Sequence, residues 1–239
     1  MRGNRAAVPW RCARIALLAF AACAAQQAVS AGANDGALLV DMREQIFPRP
    51  PVLSDAERRK ILAGAVDDAA TSINSVARGA FTASGRDEIV YLLQRGGPQA
   101  SDPAAPQGVT LAVFRDDRLQ ARMDTDAGNF IQSSVDIDGD GIGELLLRAD
   151  SYQMGIATTR LSLVSLAQGR VTVIASFPEA RVDRCGDERF GGDVEAVVIR
   201  YRRASAAAKP DFAIDRYEGR CEDGEPPRAD KFRPLAADP

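Results

Sequence analysis

Three textures of hydrophobic and polar residues follow one another along the chain. An apolar run from Ile15 to Ala25 stands behind Arg2, Arg5, Arg11 and Arg14 and ends in Val29-Ser30-Ala31. Such a core is too short to span a bilayer as a stable helix; with its basic leader and small-residue end it reads as a signal peptide, residues 1–31. The mature chain is expected to begin near Gly32. Next, Leu62, Val66, Ala69 and Ile73 recur at spacings of four, three and four, which places them on one helical face. Upstream, Ser54 and Glu57 form a capping-box pattern, in which each side chain satisfies a free N–H of the first turn. The spacing predicts a helix over about 55–70, within an N-terminal extension of residues 32–71.

From residue 72 the runs become short and β-type, broken by Gly, Asp and Pro. Glu88–Gln94, Val109–Phe114, Glu144–Arg148, Leu161–Leu166, Val171–Phe177 and Val194–Tyr201 are predicted strands. The stretch from Gly96 to Pro106 reads as a loop, and residues 222–239, polar and Pro-rich, as a flexible C-terminal tail. A repeat runs through this region. Gly85, Gly141 and Gly192 are each followed, after two intervening residues, by a glutamate and then an apolar strand. Those glutamates, Glu88, Glu144 and Glu195, recur at intervals of 56 and 51 residues. Asp117-Arg118, Gly169-Arg170 and Gly219-Arg220 keep step at intervals of 52 and 50, as apparent hairpin turns. Four antiparallel strands in about 50 residues is how a propeller blade is built. The expected fold is mainly β, with repeated four-stranded antiparallel units over residues 72–221, propeller-blade-like or a sandwich, and one N-terminal helix.

Charge and composition narrow the function. Removal of the leader's arginines takes the formal net charge from -3 to -7. An acidic surface repels phosphate backbones and anionic lipids, which argues against nucleic-acid and membrane-surface partners. No later apolar run approaches spanning length, so no membrane span is expected. The histidine count is 0, which removes Ser-His-Asp and Cys-His catalysis and the usual neutral-pH general base. Carboxylate pairs still permit glycoside hydrolysis, so a hydrolase of envelope polysaccharide stands as the alternative. Cys185 and Cys221 are the only cysteines of the mature part, and an even pair in an exported chain predicts a disulfide over two free thiols. Phe20-Ala21-Ala22-Cys23 loosely resembles a lipobox, which keeps a structural envelope lipoprotein anchored at Cys23 as a further alternative.

The most specific motif is the loop Asp136-Ile137-Asp138-Gly139-Asp140-Gly141-Ile142-Gly143-Glu144. Carboxylates at alternate positions followed by a glycine suit the wrapping of a hard cation in oxygen. Alternation lets Asp136, Asp138 and Asp140 converge, and the turn at Gly141 lets the carbonyl of Ile142 and the carboxylate of Glu144 close the shell. An EF-hand needs an acid at position twelve, where this chain has Leu147. The loop instead resembles the Ca²⁺ loops of FG-GAP repeats, the blades of integrin-α-type β-propellers, with Glu144 in place of the final Asp. The resemblance implies one intact Ca²⁺ site and two degenerate ones, at the Glu88 and Glu195 units. No catalytic machinery is visible. The expectation is a periplasmic or secreted, non-enzymatic, calcium-binding β-repeat protein that binds an unknown protein or glycan.

Overall fold

Local sequence sets the first helix. The Ser54 N–H and Oγ both meet the Glu57 carboxylate, at 2.8 and 2.7 Å, and the Glu57 N–H donates back to Ser54 Oγ at 3.3 Å. This reciprocal cap opens α1, Asp55–Ala65. The computed structural model describes residues 36–47, 49–65, 71–95, 108–186, 192–203 and 210–235. The expected signal peptide, Cys23, the Gly96–Pro106 loop, Val66 and Ala69 lie outside them. The buried face of α1 is carried by Ile61 and Ala65, four apart, with Leu62 partly buried beside them. Ile73, expected on the same helical face, belongs instead to the strand that the helix covers.

The protein is mainly β. Among the described residues twelve strands form two antiparallel sheets: β1 Ala37–Asp41, β2 Ser72–Gly79, β3 Glu88–Gln94, β4 Val109–Arg115, β5 Arg118–Thr125, β6 Phe130–Val135, β7 Glu144–Gln153, β8 Ile156–Ser165, β9 Thr172–Asp183, β10 Asp193–Arg202, β11 Asp211–Arg220 and β12 Arg233–Pro234. The smaller sheet is a meander, β2-β3-β4-β5; the larger runs β6 to β12 in chain order, and β1 pairs with β10. The described elements belong to one compact unit, Asp35–Pro239. One four-stranded unit is thus separate, while the later strands run together in one eight-stranded sheet.

Three clusters of buried side chains surround these sheets. Phe81, Val90, Leu92, Leu111 and Val113 of the smaller sheet and its loop pack with Leu145, Leu147 and Val164 of the larger. Ile61 and Ala65 of α1 pack on the smaller sheet against Leu93, Ala112 and Phe114. Leu146, Leu161 and Leu163 pack with Phe177, Val194, Ile199 and Phe232. The β7–β8 hairpin is therefore apolar on both faces: Leu145 and Leu147 serve one cluster and Leu146 the other. That accounts for an uninterrupted leucine run, since a strand covered on both sides has no polar face to alternate with.

The edges β2 and β6 meet through side chains. Ser75 Oγ accepts the Ile131 N–H at 2.8 Å, and Asn74 Nδ2 donates to the Asn129 carbonyl at 3.1 Å. Both strands carry a register shift there, between Ile73 and Ser75 and between Ile131 and Ser133. Edge irregularities of this kind re-aim side chains and end ladder pairing.

Two expectations are corrected at the C-terminal end. Gly219-Arg220 is not a hairpin turn but the end of β11, where Gly219 pairs with Val194. A Cβ on Gly219 would lie 2.6 Å from Pro227 Cγ, so close packing, not a turn, calls for the glycine. Likewise residues 222–235 are not a loose tail. Phe232 is buried in the core and β12 pairs with β11, because the aromatic ring gains more from burial than the short segment loses in order.

At the other end, β1 leads into a strap, Met42 to Phe47, that lies across two buried arginines. Arg181 donates to the carbonyls of Met42 and Arg43 at 2.9 and 3.4 Å, and Arg148 to that of Ile46 at 2.9 Å. Asp150 takes Arg148 at 2.8 Å, and Asp183 takes Arg181 at 3.4 Å. These contacts offset much of the cost of burying the two guanidiniums, although Arg181 Nε itself meets no acceptor among the described residues.

Candidate metal centre

The loop between β6 and β7 is shaped by its own carboxylates. Asp136 accepts the N–H of Gly139 at 2.7 Å through Oδ1 and that of Gly141 at 3.1 Å through Oδ2. Asp138 accepts the Asp140 N–H at 3.1 Å, and Asp140 that of Ile142 at 2.7 Å. Gly141 has a φ of +82°, a conformation that costs any residue with a Cβ. Ile137 is buried and pins the loop to the core, while Glu144 opens β7 and accepts the Ile137 N–H at 3.0 Å.

Asp136, Asp138 and Glu144 each bring one carboxylate oxygen within 4.8 Å of the others. Of the five expected ligand residues these three converge. Asp140 does not join the group, because its carboxylate turns to the Ile142 N–H. Ile142 is half-buried and its N–H is held by that bond. Glu144 is only 3% exposed. Burial, followed by the charges of Asp138, Asp140 and Asp136, pushes its carboxyl up to about 7, against the opposing bond from Ile137. Arg203, just after β10, donates to the Asp136 carbonyl at 3.4 Å. An oxygen-only set of converging acids fits a hard divalent cation and suits neither zinc nor copper.

The first repeat supplies a comparison. Glu88 opens β3 as Glu144 opens β7, and each accepts the N–H of the residue seven positions earlier, Phe81 at 2.9 Å and Ile137 at 3.0 Å. Phe81, like Ile137, is buried. Glu88 also takes the Thr82 N–H at 2.8 Å and the Thr82 hydroxyl at 2.5 Å. Burial alone would raise the Glu88 carboxyl; the Thr82 and Phe81 bonds and the charge of Arg86 outweigh it and hold the group below its ordinary value. The two loops touch, with the Gly143 N–H donating to the Ala80 carbonyl at 2.6 Å. The third repeat differs: Glu195 lies within β10 and its carboxylate meets Arg184 at 2.8 Å.

Arg86 and Arg203 were not among the residues selected by sequence. For Arg86 a signal existed, a basic residue at the position where the β6–β7 loop has Ile142. For Arg203, which approaches from a distant strand, there was none. The two cysteines are bonded, with Cα atoms 5.5 Å apart, and tie the residues after β9 to the end of β11. No helix among the described residues is long and apolar enough to cross a membrane. No family model, no curated protein and no solved structure matches the chain.

Proposed function

We propose that this is an exported, calcium-binding β-repeat protein of FG-GAP-like, propeller-blade type, which acts without catalysis as a binding module for a protein or a glycan. The observation that carries the reading is the convergence of Asp136 and Asp138 on Glu144, a buried acid raised to about 7 by its surroundings. A divalent cation there would relieve that crowding of negative charge and fix the β6–β7 hairpin. Asp140 and the Ile142 carbonyl complete the shell by local rearrangement. The repeat reading draws support from the matching Glu88 and Glu144 bonds and from the four-stranded meander of β2 to β5. The disulfide fits an oxidising compartment, and the N-terminal pattern fits export to the periplasm or medium.

Calorimetry of the purified mature protein tests the metal. About one Ca²⁺ per chain is expected, and extracellular modules bind in a range of about 0.1 to 1 mM, so the titration extends to about 10 mM. Ligand at about 100 times its dissociation constant adds roughly 2.7 kcal/mol of stability, seen as a rise in Tm. Asp138→Asn shifts the titration to higher Ca²⁺. No heat and no shift in Tm would leave the loop an acidic turn. N-terminal sequencing expects a start near Gly32; a diacylated Cys23 would make the protein lipid-anchored instead. Capture from envelope extract and on glycan arrays, with and without chelator, tests the module: chelator-sensitive retention supports it. Hydrolysis of envelope polysaccharide would favour the enzyme.

A further inference from the structure

Set in register with the β6–β7 loop, the loop between β2 and β3 has Ala80, Thr82, Ser84, Arg86 and Glu88 where the other has Asp136, Asp138, Asp140, Ile142 and Glu144. Three acids are replaced by neutral residues, and the one apolar position by a cation. Glu88, at 0% exposure, is as fully enclosed as Glu144. A carboxylate so placed needs compensation, part of which comes from the N–H groups of Phe81 and Thr82 and the Thr82 hydroxyl.

The geometry supplies the cation. Arg86 Nη1 lies 3.1 Å from Thr82 Oγ1 and 3.8 Å from Glu88 Oε1. Thr82 in turn donates its hydroxyl to Glu88 Oε1. The guanidinium thus stands against the residue that replaces Asp138 and the residue that matches Glu144. We propose that Arg86 is the resident cation of the first loop, taking in covalent form the place that an inorganic cation takes in the second.

Charge matching supports the assignment. Of the five matched positions, the first loop keeps one carboxylate and meets it with one positive charge; the second has four and calls for a divalent ion. Asp87 does not upset this count, since it lies outside the matched positions and lines a surface cleft with Lys60 and Tyr91. The fewer acids and the arginine thus go together: where the second loop calls for a metal ion, the first carries its own cation, independent of metal supply. Arg86 is itself 44% exposed, so its head group stays hydrated on one side while its other side serves the buried acid.

The pairing of Arg86 with Glu88 needs no metal; the equivalence of the two places rests on the second loop binding one. The tests separate these. In chelator, thermal melts are compared for wild type, Arg86→Met, Glu88→Gln and the double variant. Arg86→Met is expected to lower Tm by roughly 5 °C alone, by much less beside Glu88→Gln, and Arg86→Lys to retain most of the wild-type value. An equal loss in both backgrounds, or none in either, overturns the pairing. In the second arm, Ala80→Asp, Thr82→Asp, Ser84→Asp and Arg86→Ile are combined and titrated with CaCl₂. The calorimetric stoichiometry is expected to rise by one over wild type; an unchanged value in a folded variant overturns the equivalence. If the fourfold variant does not fold, the melts alone decide. A wild type that ignores Ca²⁺ while the melts behave as expected rejects the metal reading of the second loop and leaves Arg86 paired.

Discussion

The Gly143 N–H reaches the carbonyl of Ala80 at 2.6 Å, so the loop that ends at Glu144 is hydrogen-bonded to the loop that ends at Glu88. Ser84 stands against Gly141 in the same contact. A backbone hydrogen bond and a side-chain contact thus join the two loops. Adding Ca²⁺ at about 5 to 10 mM, on the order of tenfold above the weak range, is therefore expected to slow amide exchange over residues 80–88 as well as 136–144. Hydrogen exchange read by mass spectrometry checks this; protection confined to 136–144 would show the loops to be independent.

The Glu144 carboxyl sets a pH dependence. Its folded value of about 7 stands above the ordinary 4.5, so between those values the folded chain holds a proton that the unfolded chain has released. Stability of the metal-free protein therefore falls as pH rises through that window, by about 3 kcal/mol in all. With a histidine count of 0, no imidazole titrates there to mask it. Denaturant unfolding at pH 5 and pH 8 in chelator is expected to show the drop, and saturating Ca²⁺ to remove most of it. A metal-free protein equally stable at both values would contradict the buried-acid reading.

Two glycines separate conformational strain from contact. Gly85 and Gly141 both have positive φ, +71° and +82°, and hold equivalent places in the two loops. A Cβ on Gly85 meets nothing within 4 Å, whereas one on Gly141 collides with Ser84 Oγ. Gly85→Ala is expected to cost about 1–2 kcal/mol from strain alone, and Gly141→Ala roughly 1 kcal/mol more. Equilibrium unfolding measures both, and Ser84→Gly is expected to recover the excess in the second variant but not the first.

The disulfide closes a separation of 36 residues. In the chain-entropy account that contributes about 3 to 4 kcal/mol, so Cys185→Ser with Cys221→Ser is expected to lower Tm by about 10 °C. Thermal melts under non-reducing conditions decide the point. A loss of only a degree or two would mean that the β10–β11 pairing holds this end unaided.

Legibility of the fold in the sequence tracked burial. Glu144 was expected to open a strand and does, because Leu145 to Leu147 is apolar without interruption, and such a run has few other uses. By contrast β11 alternates weakly and carries charge along its length, and β5 alternates but interleaves only Leu119, Ala121 and Met123 with charged and polar residues. Neither stood out as an apolar run. Ile73 continues the 3.6-residue spacing by chance while serving a strand, so spacing alone assigns it to the wrong face. At the site, alternation identified the acids, but spacing alone does not say that Asp140 turns to its own loop. Nor does it reveal that Arg148 and Arg181 sit in the interior beneath the strap, since their partners are carbonyls more than 100 positions away.

That last arrangement governs how the chain folds. Ala37 pairs with Tyr201 and Leu38 with Arg200, so the first strand has no partner until the tenth has been made. The strap's carbonyls wait similarly, across 102 positions for Ile46 to Arg148 and 139 for Met42 to Arg181. Closing contacts at such separations is slow, because chain entropy is lost before any pairing compensates it. The β2–β5 meander can assemble early from neighbours in sequence, while β1 can pair only once β10 is present. A ribosome-held chain that stops short of β10 would hold both arginines of the strap yet leave β1 without its partner strand.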